Sequence, residues 1–222
     1  MQIVYESRSM FAISKPAGIP SQDDRAGGAS AHRELERIRG ESLYVVHRID
    51  RPASGVLLFA RTREASAHLS RQFAEHLVEK RYLALVSLPV EPVGGVLEHR
   101  LERNAKSNKS FVSPNGKLAR LRFRIAALGD RYAMLEVELI TGRHHQIRAQ
   151  LAAIGHPIRG DLKYGAPRSQ PGGGIALHAV SIGCIDPTTN KRVCVVAPPP
   201  DDRLWNSLYA SYEPPSGCSE TP

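Results

Sequence analysis

One aspartate in this chain stands between two arginines, in a segment with apolar residues on both sides. Asp50 lies between Arg48 and Arg51 within VVHRIDRPASGVLL, residues 45–58. A carboxyl group with a reference pKa of about 3.9 is ionised near neutral pH, and a neighbouring cation would keep it ionised inside a cleft. Such a carboxylate can act as a nucleophile or form a structural ion pair. The residue types alone leave both roles open.

A second segment, residues 139–165, brings basic and histidine side chains close to an apolar stripe. Thr141 is predicted to cap a helix over residues 142–154, because Ile147, Leu151 and Ile154 follow at helical spacing. The free amides at the start of this helix would favour an anion. The alternative is an amphipathic helix with a solvated basic face.

Metal binding is not predicted at this segment. His144 and His145 are adjacent, so on a helix they would point about 100° apart. No cysteine or acidic cluster has the spacing of metal ligands.

The elements that must position these residues indicate an α+β domain. A mixed, largely antiparallel sheet with flanking helices is expected, since short strands outnumber helices. Strands are predicted over residues 2–5, 10–15, 43–47, 55–61, 80–88, 97–103, 117–126, 131–140, 174–185 and 192–197, and helices over 27–40, 63–77, 142–154 and 201–212. Pro52 argues against a strand through Asp50, so that residue is assigned to a loop. One domain over residues 1–212 and a flexible tail over 213–222 are expected.

Two predicted strands show a regular alternation of residue types. Residues 117–126 carry apolar side chains on one face and Arg120, Arg122 and Arg124 on the other. These arginines form either a stripe that faces RNA or a solvated sheet face. In residues 131–140, every second residue from Ala133 is apolar and is predicted to face one way.

The balance of charges is basic. Lys and Arg number 30 against 22 for Asp and Glu, which gives a net charge of +8 in 222 residues. The isoelectric point near 9.7 is typical of a nucleic-acid-binding surface without proving one.

Other whole-chain features favour a globular cytoplasmic protein. The 41% apolar content is ordinary, no apolar run is long enough to span a membrane, and no signal peptide is predicted. Cys184, Cys194 and Cys218 are odd in number and lack metal-type spacing. Free thiols are therefore expected, with Cys184 and Cys194 as neighbours on adjoining strands.

The two charged segments together resemble signatures of the RluA family of pseudouridine synthases. The first is similar to that family's HRLD-x-x-TSG motif and stands here as residues 47–55; the second is similar to TGR-x-HQIR…GHPI-GD-x-YG and stands here as residues 141–148, 155–161 and 164–165. Further similar stretches are KPAG, KRYLALV, LHA, DP and AP, at residues 15–18, 80–86, 177–179, 186–187 and 197–198. The resemblance covers residues 2 to about 205.

The chain departs from the family pattern at a few positions. Ile49 and Ala53 replace Leu and Thr in the first motif, and His144 replaces a commoner Thr. The first two changes are small and are not expected to remove activity. No additional RNA-binding domain precedes KPAG, so RNA is expected to be held by the catalytic domain alone or with a partner.

The resemblance implies the pseudouridine synthase fold with an active-site cleft across the sheet. It also implies that uridine is flipped out of an RNA and that Asp50 helps to break its N1–C1′ bond before the base is rejoined through C5. Covalent attack and a glycal intermediate are both open. Arg148 would pair with Asp50, and Tyr82 would pack against the base. The further RNA-binding candidates are Arg48, Arg51, His47, Arg143, His145 and Lys15.

No metal or organic cofactor is implied, because the reaction is an internal isomerisation. The expected partner is ribosomal or transfer RNA, bound by a monomer without membrane contact. A non-catalytic RNA-binding protein of the same fold is the main alternative. A glycoside hydrolase or nucleosidase is the third hypothesis, but that class needs two facing carboxylates, and Asp161, the only other candidate, lies in a motif typical of a structural turn.

Overall fold

The computed structural model describes residues 1–23, 28–170, 172–214 and 218. Its strands are β1 Gln2–Glu6, β2 Met10–Lys15, β3 Tyr44–Val45, β4 Ser54–Ala60, β5 Glu79–Ser87, β6 Gly94–Asn104, β7 Lys109–Val112, β8 Lys117–Leu128, β9 Tyr132–Leu139, β10 Leu177–Ile185 and β11 Arg192–Val196. Its helices are α1 Ala31–Arg39, α2 Arg63–Ala74, α3 Gln146–Ala153 and α4 Arg203–Tyr209, with a 3₁₀ turn at Leu162–Tyr164. The prediction of an α+β fold is confirmed.

The chain divides into two compact units. The first comprises residues 1–80, 179–200 and 213–222, and the second comprises residues 81–178 and 201–212. The expectation of one domain over residues 1–212 stays a prediction. The tail predicted to be flexible, residues 213–222, lies mostly outside the described residues, as do the start of the first predicted helix and Asp24 of the loop before it.

The first unit is built on β4, all seven residues of which are buried. Strand β2 pairs antiparallel with β4, and β1 pairs antiparallel with β2. Alternate residues of β2 and β4 point to opposite faces, so Leu58 packs with Leu69 of α2, and Leu57 packs with Leu35 of α1. Both faces of β4 are therefore covered, which explains its continuous apolar sequence.

Short-range signals bound the first two helices. The side chain of Ser30 accepts from the amide of Arg33 at the start of α1, and that of Thr62 accepts from the amide of Ala65 at the start of α2. Gly40 ends α1 in the left-handed conformation, with φ of 68°. These are ordinary N-cap and C-cap chemistries, and the predicted helices are confirmed, although both are shorter than expected.

The second unit contains an antiparallel array in the order β5, β9, β8, β6, β7. The predicted alternation of β8 is confirmed, since Leu121 and Phe123 are buried. Strand β9 is buried on both faces over residues 133–137, including Glu136. That carboxylate is matched by Arg81 at 2.8 Å and Arg124 at 2.6 Å. Strand β7 had not been predicted.

The start of α3 corrects the predicted helix over residues 142–154. The helix begins at Gln146, and Thr141 does not cap it. Instead, Oε1 of Gln146 accepts from the Thr141 hydroxyl at 2.8 Å and from the Arg143 amide at 2.9 Å, which holds the preceding residues in a loop. His145 occupies the N-cap with φ of 52°. His144 therefore does not share a helix face with Arg148.

The cysteines also differ from the prediction. Cys194 and Cys218 form a disulfide, and Cys184 is free and buried. The register pairs Cys184 with Val193 and Cys194 with Gly183. The expectation that all three are free thiols is wrong. Burial raises the pKa of Cys184 to about 12, so this thiol is unreactive.

Candidate active site

Asp50 lies in a tight turn directly before β4. The amide of Ala53 donates to the carbonyl of Asp50 at 3.0 Å, which closes the turn. The side chain of Asp50 is half-buried. Because β4 starts at Ser54 and is buried throughout, the turn is attached to one of the most constrained strands of the first unit.

Gly55 is required where this turn enters β4. Its φ is 119°, and a Cβ atom built on it would lie 2.3 Å from the carbonyl oxygen of Ala179. A glycine is needed for both the backbone conformation and the close approach. The strand that carries Ala179 therefore helps to fix the chain direction after Asp50.

The segment of residues 15–21 holds the Asp50 turn from the other side. The hydroxyl of Ser21 donates to the carbonyl of Ile49 at 2.9 Å and accepts from the amide of the same residue at 3.1 Å. The amide of Gly18 donates to the carbonyl of Arg51 at 2.8 Å, and Nε of Arg51 donates back to the carbonyl of Gly18 at 2.9 Å. Both neighbours of Asp50 are thus fixed. Ser21 gave no signal in the sequence.

Lys15 is a second support of the turn. Its side chain is fully buried, and Nζ donates at 2.7 to 2.8 Å to the carbonyls of Pro16, Ile19 and Ala53. Burial lowers the pKa of Lys15 to about 8, against the opposing effect of the Asp50 charge. The predicted contact of Lys15 with RNA stays a prediction. Its ammonium group binds the ends of two loops and faces Asp50 as a counter-charge.

His47 is neutral and packed. Its ring stacks on Phe73 with centroids 4.9 Å apart, and Nε2 accepts from the amide of Leu58 at 2.9 Å. Burial and the positive charge of Lys80 lower the pKa of His47 to about 3. Its predicted contact with RNA stays a prediction. Arg48 and Arg51 are exposed, as RNA contacts require.

In the second unit, Arg148 is buried and bound to Asp161. Its Nε and Nη2 donate to the two carboxylate oxygens of Asp161 at 2.6 and 2.8 Å, and its guanidinium carbon lies 4.9 Å from the ring centroid of Tyr164. Such a two-point pair sets the guanidinium plane. The alternative of a solvated basic helix face is wrong, since residues 146–151 are all buried. Asp161 is the orienting partner of Arg148, which its assignment to a turn had missed.

His145 belongs to the same cluster. The hydroxyl of Tyr164 accepts from the amide of Ser110 at 2.8 Å, and it is hydrogen-bonded to Nδ1 of His145, 3.0 Å away. Burial and the charge of Arg148 lower the pKa of His145 to about 2, so the ring is neutral. Arg143 lies outside the cluster and is exposed, with Nε bonded to the carbonyl of Leu118. Tyr82 is half-buried on β5, opposite Val137.

Comparison with known proteins identifies the family. The family model described as RNA pseudouridylate synthase matches residues 9–153, which is more than half of the chain. This chain belongs to the RNA pseudouridylate synthase family. The family and the isomerase class predicted from the motifs are confirmed.

Several relatives extend the match beyond residue 153. The RNA pseudouridine synthase YhcT of Bacillus subtilis (strain 168) is 34% identical over 211 residues, which cover 91% of this chain and 70% of the relative. Ribosomal large subunit pseudouridine synthase C of Vibrio cholerae is 36% identical over 208 residues, or 88% of this chain and 65% of the relative. The structure of human RNA Pseudouridylate Synthase Domain Containing 1 superposes with a TM-score of 0.79 at 25% identity, over 98% of this chain and 90% of that one.

Membrane and metal features complete the description of this pseudouridylate synthase. Among the described residues, no helix is long and apolar enough to cross a bilayer. Within the same residues, no group of three or more histidine, cysteine or acidic side chains is placed to hold a metal ion.

Proposed function

We propose that this pseudouridylate synthase converts uridine to pseudouridine in ribosomal RNA and that Asp50 is its catalytic carboxylate. The observation that carries the proposal is the construction of the Asp50 turn. Hydrogen bonds from Ser21 and Gly18 hold both neighbours of Asp50, and Lys15 holds Ala53 at the end of the turn. The carboxylate of Asp50 itself stays half-exposed. A carboxylate that is fixed but accessible suits attack on a sugar.

The reaction balances without a cofactor. The N1–C1′ bond of uridine breaks, a C5–C1′ bond forms, N1 gains a proton and C5 loses one. Asp50 supplies the negative charge beside the ribose, either as a nucleophile on C1′ or as a base for a sugar proton. Tyr82 packs against the released base, and Arg148 pairs with Asp50. The support for the role of Arg148 is its locked guanidinium plane on Asp161.

The surface arginines are assigned to the RNA. Arg48 and Arg51 flank Asp50 and are exposed, so they bind phosphates or fill the space left by the flipped uridine. Arg143 is exposed as well. Ribosomal RNA is favoured over transfer RNA because the relative from Vibrio cholerae is named for the large ribosomal subunit. A monomeric state and a cytoplasmic location stay predictions.

Tritium release from RNA labelled at uridine C5 tests this proposal. Unmodified ribosomal and transfer RNA are supplied separately to the wild type, to Asp50→Asn, and to Asp130→Asn as an exposed control. Tritium release from ribosomal RNA that is lost only in Asp50→Asn supports both the substrate assignment and the catalytic role of Asp50. Release in Asp50→Asn at the wild-type rate refutes the catalytic role. Release from transfer RNA alone refutes the substrate assignment.

The non-catalytic alternative makes a different prediction in the same assay. A protein that only binds RNA retains affinity in the wild type and in Asp50→Asn, with no tritium release from either RNA. The neutral isostere leaves the turn hydrogen bonds of the backbone in place, so a loss of binding in Asp50→Asn is not expected under either hypothesis.

A further inference from the structure

The hairpin formed by β6 and β7 carries an unbalanced positive charge. Residues 100–117 hold five basic side chains and one carboxylate, a net charge of +4, which is half of the +8 of the whole chain. The basic residues are Arg100, Arg103, Lys106, Lys109 and Lys117. In the described part of the chain, none of these five has a carboxylate within ion-pair distance.

The hydrogen bonds of these cations leave their charge intact. Arg100 donates to the carbonyl of Gly116, and Arg103 donates to the side-chain oxygen of Asn108. Both acceptors are neutral. By contrast, the β8 arginines are each matched by a carboxylate: Arg120 by Glu98, Arg122 by Glu138 and Arg124 by Glu136. The uncompensated field in this part of the second unit is therefore at the hairpin rather than along β8.

An exposed aromatic side chain, Phe111, lies on the same hairpin as these cations. Phe111 lies on β7, which pairs with β6 and is the last strand of its array. It is 42% exposed. Its register partner is Glu102, and Arg100 is two residues away on the same strand, opposite Leu118 of β8. Facing residues of antiparallel strands project to the same side, so Phe111, Arg100 and Leu118 share one solvent face.

We propose that Phe111 is a stacking platform for an unpaired base of single-stranded RNA whose phosphates are held by the cations of the hairpin. An exposed aromatic ring beside cations is the arrangement that binds single strands, because a base presents its π-face to the ring and its phosphate to the cation. A duplex hides its bases and gains only from the cations. The inference rests on the proposed function, since it names the form of RNA that this enzyme holds outside Asp50.

Binding of a labelled single-stranded RNA of about 12 nucleotides tests the platform. Phe111→Ala is compared with Phe111→Trp and with Val96→Ala, which removes an apolar side chain that is 53% exposed on the same face of β6. We expect about tenfold weaker binding in Phe111→Ala, wild-type or tighter binding in Phe111→Trp, and no change in Val96→Ala. A duplex of the same length should not distinguish the variants.

The salt dependence of RNA affinity tests the phosphate contacts separately. Replacing Arg100, which shares the Phe111 face, and Lys106 by glutamine should reduce the slope of log affinity against log salt by about 1.4, because each phosphate contact on a single strand contributes about 0.7. An unchanged slope overturns this half of the proposal. Equal affinities of Phe111→Ala and Val96→Ala, or equal losses on single strand and duplex, overturn the stacking half.

The test is kept separate from catalysis by repeating it in Asp50→Asn. If RNA binds through Phe111 but the wild type forms no pseudouridine, the platform stands and the proposed function fails. If pseudouridine forms and Phe111→Ala binds every RNA as the wild type does, the proposed function stands and the platform fails. Melting temperatures of all variants confirm that the exposed substitutions leave the fold intact.

Discussion

Acidification should unfold this protein partly through His47. In the native state the ring is neutral, because Nε2 accepts from the amide of Leu58 and burial lowers the pKa of His47 to about 3. In the unfolded chain a histidine titrates near pH 6.5. Between these values the unfolded state binds one more proton, so stability falls as pH falls. The contribution is fully present above pH 6.5 and is lost progressively down to about 3.

The size of the loss follows from the two pKa values. At about pH 5, protonation of the unfolded chain favours unfolding by about 2 kcal/mol relative to neutral pH. His145, whose pKa burial lowers to about 2, should add a smaller loss, because its ring is partly exposed to screening solvent. The wild-type slope therefore contains contributions from both histidines, and substitution at His47 should remove only the contribution of His47.

Urea unfolding followed by circular dichroism at several pH values between about 7 and 5 measures this share. In His47→Gln a side-chain carbonyl can still accept from the Leu58 amide, but nothing titrates. The variant should lose about 2 kcal/mol less than the wild type over this pH range. His76→Gln, at an exposed histidine, should keep the wild-type slope. Identical slopes for His47→Gln and the wild type would refute the reasoning.

Three further substitutions test the supports of the site. Lys15→Met leaves buried carbonyls without a donor. It should lower the free energy of unfolding in urea by about 2–4 kcal/mol and lower the rate of tritium release. An unchanged rate would show that Lys15 does not support the action of Asp50. Gly55→Ala places a methyl group against the backbone of Ala179 and should cost more than about 3 kcal/mol by thermal unfolding. Asp161→Asn removes the carboxylate that binds the buried Arg148 at two points and should cost about 3–5 kcal/mol, whereas wild-type stability would show that this pair is not needed.

Local signals predicted much of the fold. The strand over residues 10–15 was placed at its observed bounds, since its apolar run starts and ends at polar or turn-forming residues. Thr62 did not enter the helix prediction, yet it caps α2 one residue before the predicted start, at Arg63. Pro52 correctly excluded a strand through Asp50. In each case the deciding information lies within a few residues of the element.

The errors lie where distant residues decide the structure. The helix predicted from Gly142 begins at Gln146 because the Gln146 side chain bonds to Thr141 and to the carbonyl of Arg120 on β8. The burial of Glu136 in β9 was not predicted, because its partners Arg81 and Arg124 lie on the neighbouring strands β5 and β8. Neither partner can be found by periodicity, which sees only neighbours along the chain.

For the candidate site, the motifs located the residues but not all of their roles. Lys15 looked like an RNA contact because it is basic and lies in a signature, yet its ammonium group is enclosed by carbonyls. Asp161 looked like a turn residue, yet it orients Arg148. Residue type alone does not separate a charge that meets a ligand from one that holds a neighbour, because both need a counter-charge or a set of dipoles. The burial of the charged side chain distinguishes these two roles.

The same distinction applies to the positive charge of the chain. A count of basic residues gives equal weight to Arg122, which is 2.9 Å from Glu138, and to Arg103, whose hydrogen-bond acceptor is a neutral amide. Only an arginine whose charge is not balanced by a carboxylate attracts a phosphate over distance. The charges of an arginine and its paired carboxylate nearly cancel at long range. The β8 stripe fits a solvated sheet face for this reason. The hairpin that bears Phe111 is therefore the part of the second unit that we propose RNA recognises.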